Sequence, residues 1–145
     1  SRFDELAEKH GLEKVKTIGD AYMAAAGMPI ARSDHADRAI AMAFDMLDAV
    51  RKIGDSLGEN LHIRIGLHSG PAIAGVIGNS KIFYDVWGDT VNTASRMESY
   101  GSPGRIQVTK STREALGEGY LFETRGEIDV KGMGKVETFW LLRED

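Results

Sequence analysis

The chain has no cysteine, so disulfides, thiolate chemistry and cysteine zinc sites are excluded together. It therefore fits a reducing compartment. Basic residues are not in excess either: 18 Lys and Arg against 22 Asp and Glu give a net charge of −4. A nucleic-acid binder normally carries a basic face, so no nucleic-acid partner is expected. No apolar run approaches the ~20 residues that span a bilayer. The best candidate, residues 39–50, is interrupted by Asp45 and Asp48. Nor do the first residues read as a signal peptide, because Asp4, Glu5 and Glu8 arrive at once. No membrane contact is expected from these residues. They read as a cytoplasmic domain, and the question of a membrane-anchored parent stays open. There is no internal repeat, linker or low-complexity segment.

What remains is a chain of 145 residues, 42% of them hydrophobic, enough for one domain with a real core. Residues 2–10 read as a helix with an apolar stripe of Phe3, Leu6 and Ala7, stopped at Gly11. Strands over 13–18 and 21–28 join at Gly19-Asp20, two residues suited to a hairpin turn. Ser33 or Asp34 caps a long amphipathic helix that buries Ala39, Ile40, Ala43, Phe44, Leu47 and Val50 and ends at Gly54 and Gly58. Strands are expected over 61–68, 71–77 and 81–87, then a helix over 90–99. A short strand at 106–109 and a small helix at 110–117 follow. The end is β-rich, with strands at 119–124, 126–131 and 136–142. Strands and helices are interspersed without the regular alternation that builds a parallel sheet. The expected class is α+β, a mostly antiparallel sheet with helices packed on one side.

The stretch Lys81–Ser99, KIFYDVWGDTVNTASRMES, carries the most chemistry. Its first half alternates as a strand, it breaks at Gly88-Asp89-Thr90, and its second half suits a helix. On that helix Asn92 and Arg96 are four apart and share a face. Asp85 lies near the end of the strand that feeds them. An acceptor, an amide and a permanent cation thus gather at a strand-to-helix junction, which can hold a nucleotide. Asp20, after a glycine in a tight turn, could offer its carboxylate to a hard cation such as Mg²⁺; taken alone it could equally bond its own backbone. Lys16 and Lys131, taken alone, are ordinary exposed strand lysines, and Arg96 could pair with Glu98. Gly70 to Gly75 has the glycine spacing of a phosphate loop, but Val76-Ile77 stands where Lys-Ser/Thr is required. Gly132-Met133-Gly134 lacks the third glycine and the helix of a dinucleotide fingerprint. His62 and His68 could share a strand face, yet no further metal ligand is evident. His10 and His35 read as surface or capping residues.

These motifs, KVKTIGDAYM at 14–23, the run 81–99 and RGEIDVKGMG at 125–134, occur in the order and spacing of the class III nucleotidyl cyclases. The chain resembles that family over residues 14–131. The resemblance implies a ferredoxin-like, palm-type core and a reaction that converts ATP to 3′,5′-cyclic AMP and pyrophosphate. It implies that Asp20 is a metal ligand for one of two Mg²⁺ or Mn²⁺ ions. Lys16 and Asp85 would read the adenine ring, since adenine offers an N–H donor where guanine offers a carbonyl acceptor. Guanylyl cyclases resemble this chain elsewhere but carry Glu at the Lys16 position and usually Cys at the Asp85 position. Asn92 would position the ribose. Arg96 would stabilise charge on the α-phosphate, and Lys131 would grip the β- and γ-phosphates. The family builds its sites between two head-to-tail subunits of a homodimer.

The family also uses a first metal aspartate, on an opening strand followed by a turn that wraps the triphosphate. Nothing before Gly11 resembles that strand, and Asp4 lies on the helix that precedes KTIGD. Residues 1–145 are therefore expected to be a catalytic domain lacking its N-terminal strand and first helix, and inactive alone. A guanylyl cyclase and a non-catalytic, cyclase-like dimerisation or regulatory module are the alternatives.

Overall fold

The computed structural model describes residues 2–27, 33–71, 73–77, 83–130 and 132–143. In chain order the elements are α1 (Arg2–His10), β1 (Glu13–Ile18), β2 (Ala21–Ala25), α2 (His35–Leu57), β3 (Ile65–Leu67), β4 (Ile73–Ile77), β5 (Phe83–Trp87), α3 (Asp89–Ser99), β6 (Ile106–Thr109), α4 (Lys110–Ala115), β7 (Leu121–Val130) and β8 (Gly134–Leu142). The expected α+β class holds. Four strands form a sheet in the order β3-β6-β8-β7, and two antiparallel hairpins, β1-β2 and β4-β5, stand beside it. Among the described residues only the β3–β6 pair is parallel; β6–β8 and β7–β8 are antiparallel.

Side-chain alternation along β6 divides the molecule into layers. Ile106 and Val108 face α2, where they pack with Ile40, Ala43, Ile65, Phe139 and Leu141. Gln107 lies on the opposite face, and its amide nitrogen donates to the Met97 carbonyl of α3 at 2.9 Å. Helices therefore cover both faces of the sheet, not one side as the sequence pattern led us to expect. A smaller cluster of Met97, Ile128 and Val130 fills the α3 side. The two expected strands at 119–124 and 126–131 are one strand, β7, with a bulge at Arg125 between Thr124↔Phe139 and Gly126↔Thr138. The extra residue shifts the alternation, so Phe122 packs on the α2 side and Ile128 on the α3 side.

Three local expectations also change. Strand β3 spans three residues instead of 61–68, because only Ile65–Leu67 find partners on β6. Asp34 occupies the N-cap position of α2 without capping it; its carboxylate accepts from Arg38 Nε at 2.8 Å, a charged donor that outcompetes a backbone amide. Gly54 stays buried inside α2, and the helix stops at Gly58. His10 is not a surface residue. Its Nε2 lies 2.6 Å from Asp45 and ties α1 to α2, beside a contact of Leu6 and Ala7 with Met42 and Ala49.

Candidate active site

Helix α3 carries the two residues that the spacing rule pairs, and its opposite face explains its position. Thr93 and Met97, also four apart, are fully buried. The Thr93 hydroxyl donates to its own helix, to the Asp89 carbonyl at 2.8 Å. Beneath them runs Gly66 of β3. A β-carbon there would fall 2.1 Å from the Glu98 nitrogen, so helix and strand meet backbone to backbone. With that face locked, Asn92, Ser95 and Arg96 are turned outward and exposed. Together with Val130 they line a cleft of about 270 Å³. Ser95 was not singled out from sequence, although its three-residue spacing from Asn92 puts it on the same face.

The cleft adjoins the β7–β8 turn. Val130 immediately precedes Lys131, which lies outside the described residues, as does the side chain of Asp85. The Asp89 carboxylate stands against this turn, 3.2 Å from where a β-carbon on Gly132 would sit. Arg96 does not pair with Glu98. Glu98 bonds Arg64 at 3.0 Å, and Arg96 lies over the ring of Tyr100, 5.4 Å from its centroid.

Lys16 and Asp20 sit on the other part of the structure, the β1–β2 hairpin. Gly19 takes φ +60°, a conformation that side chains resist, and so closes the turn that presents Asp20. Asp20 is exposed and Lys16 half-buried. Strand β1 packs beside β5, where Asp85 is paired with Gly75 of β4. The strands bearing Lys16 and Asp85 are thus neighbours, while Asn92 and Arg96 share the α3 cleft. Among the described residues no three His, Cys, Asp or Glu gather to hold a metal ion. A single exposed carboxylate fits a hard cation that is shared with substrate phosphates, not one caged by protein alone.

The two histidines considered as a pair are separated. The His62 ring borders Gly104. His68 Nδ1 lies 2.6 Å from the buried Thr109 hydroxyl and 3.2 Å from that of Ser111. Burial holds the His68 imidazole below its ordinary pKa, which favours the neutral ring. Ser111 Oγ also donates to the Ser69 carbonyl at 2.8 Å, and the Thr90 hydroxyl on the first turn of α3 bonds the Pro71 carbonyl. Residues 68–71 thereby join the start of α3 to the β6–α4 junction. A second hollow, about 250 Å³, is lined by Phe44, Tyr120, Leu121 and Leu142. Its one cation, Arg143, already forks onto Asp48 at 2.7 and 2.8 Å, so a phosphate ligand is better matched by the α3 cleft.

Comparison with known proteins gives a consistent answer. The model of the adenylate and guanylate cyclase catalytic domain matches residues 1–143. An adenylate cyclase of Mycobacterium tuberculosis is 46% identical over 98% of this chain and 32% of its own length. The guanylate cyclase soluble subunit beta-2 of Rattus norvegicus is 43% identical over 99% of the chain and 21% of its own length. The chain thus spans about a third or less of these relatives. Among solved structures, a guanylate cyclase domain from Catenaria anguillulae in complex with GTP superposes with a TM-score of 0.86 at 40% identity, covering 99% of this chain and 79% of that one.

Proposed function

The chain belongs to the adenylate and guanylate cyclase catalytic domain family, and from that premise we propose that it converts ATP to 3′,5′-cyclic AMP and pyrophosphate. The observation that carries this reading is the α3 cleft, where Asn92 and Arg96 stand one turn apart on the open face of an otherwise locked helix. The ribose 3′-oxygen attacks the α-phosphorus in line, the O3′–P bond forms, and the bond to the β-phosphate oxygen breaks to release pyrophosphate. Arg96 suits the α-phosphate because its planar fork meets two oxygens and keeps its charge. Asn92 orients the ribose, and Lys131 binds the β- and γ-phosphates. Asp20 would hold a divalent cation, Mg²⁺ or Mn²⁺, that when bound acidifies the attacking hydroxyl and offsets phosphate charge. The sites lie between two head-to-tail copies of the domain, one giving Asp20, the other giving Asn92 and Arg96.

Choice of base is the finer claim, since the relatives include both adenylate and guanylate cyclases. Asp85 can accept from the adenine amino group and Lys16 can donate to a ring nitrogen, while guanine presents the reverse edge. The experiment is an assay of the whole enzyme with Mn²⁺ and ATP beside GTP. We expect cyclic AMP as the main product. The double substitution Lys16→Glu with Asp85→Cys should cut ATP turnover at least about a hundredfold and admit GTP, because a site built for one base edge leaves its polar groups unpaired against the other. Cyclic GMP as the main wild-type product would make the protein a guanylyl cyclase. No cyclic nucleotide from either substrate would leave a non-catalytic, cyclase-like module.

A further inference from the structure

Arg96 is exposed on a helix face, where a long side chain samples many rotamers unless something holds it. Tyr100, four residues on, holds it in two ways. The guanidinium carbon lies 5.4 Å from the ring centroid, and Nη1 donates to the phenol oxygen at 3.3 Å. The backbone that carries Tyr100 is fixed in turn. Its backbone N–H donates to the Arg96 carbonyl at 2.9 Å, and its own carbonyl accepts from Arg125 Nη2 at 3.4 Å. Arg125, the bulge residue of β7, lies 5.7 Å from the Trp140 ring. Arg105 covers Trp140 at 4.4 Å and bonds Glu123 at 3.0 Å. Arg96 is thus joined to the central sheet through the Tyr100 ring, the Tyr100 carbonyl and Arg125.

We propose that Tyr100 is a positioning residue for Arg96. It holds the guanidinium at the rim of the α3 cleft before nucleotide arrives and so removes an ordering cost from the chemical step. A guanidinium has five N–H donors. With one spent on the phenol oxygen, the rest stay available to phosphate oxygens. The ring face is attracted to the cation but offers it no carboxylate, so phosphate meets no competing anion at Tyr100. The inference rests on the reading of Arg96 as the α-phosphate ligand.

The test is steady-state kinetics of the whole enzyme. Because Arg96 acts on charge that develops in the transition state, Tyr100→Ala should lower kcat about two- to fivefold and leave KM for nucleotide nearly unchanged. Tyr100→Phe keeps the ring and should stay within about twofold of wild type. Tyr100→Leu keeps apolar bulk without a π face and should behave as Tyr100→Ala does, which guards against a loss caused by misfolding. In an Arg96→Ala background Tyr100→Ala should have no further effect, since the two act as a unit. Unchanged kcat in Tyr100→Ala, full activity in Tyr100→Leu, or an undiminished loss in the Arg96→Ala background would each overturn the assignment. Unchanged turnover in Arg96→Ala itself is a separate failure, that of the reading on which the inference stands.

Discussion

Gly66 is the point at which the strand under the cleft touches the helix above it, with a hypothetical β-carbon only 2.1 Å from the Glu98 nitrogen and 2.4 Å from the Met97 carbonyl carbon. Nothing flexible can move aside, because the atoms in the way are backbone and the Met97 β-carbon fixed to it. Gly66→Ala should therefore destabilise the domain by about 3 kcal/mol or more and, by lifting α3, lower cyclase activity with it. Gly117→Ala is the control: its β-carbon would meet only Asp37 Oδ1, at 3.9 Å, and should cost no more than about 0.5 kcal/mol. Denaturant titration of both variants checks this. Equal midpoints would mean that the close approach does not fix the helix. At this scale the site was only partly legible. The spacing of Asn92 and Arg96 marks one helix face without any structure. The same four-residue rule applied once more reaches Tyr100, but an aromatic in SRMESYG gives no sign that it takes a guanidinium in place of Glu98.

Among the elements, the helices and the β1–β2 hairpin followed from local signals, because periodicity, turn residues and stops lie within a few positions of one another. The strands of the central sheet did not follow as well. Residues 61–64 alternate as a strand does, yet pairing with β6 is a long-range event that begins at Ile65. The sequence pattern breaks the strand at Arg125, whereas that residue is a bulge that lets β7 serve both faces. The loop after β3 was equally silent, since its bonds run to residues some forty positions away. It carries a pH dependence. The His68 imidazole is held below its ordinary pKa of 6.5 by burial, so the folded state takes up its proton later than the unfolded chain does. The stability this ring contributes is complete above pH 6.5 and falls as pH drops below it toward the lower folded value. Unfolding free energy measured at pH 7.5 and 5.5 should decline for the wild type. His68→Gln, which does not titrate, should decline less. Parallel slopes for the two proteins would exclude His68 as the source.

For the whole molecule the strongest test concerns two copies. If one copy gives Asp20 and the other gives Asn92, then Asp20→Ala and Asn92→Ala should each lose most activity as pure homodimers and regain it when mixed under subunit exchange. Random two-fold pairing makes half the dimers mixed, each with one intact site, so recovery is bounded at roughly a quarter of wild type. Confirmed exchange with no recovery would place the whole site within one chain. A final consequence belongs to the order of events in folding. The one parallel pair in the sheet joins β3 to β6, and everything between them, from His68 to Arg105, is the connection that this pairing must enclose. Pairing across so long a separation forms late, after local hairpins and helices have had time to appear. That enclosed stretch holds Asp85, Asn92, Arg96 and Tyr100. Gly66 belongs to the same strand, so the pairing that closes the sheet also brings it against α3. Closing the sheet and placing the arginine are therefore coupled through one strand.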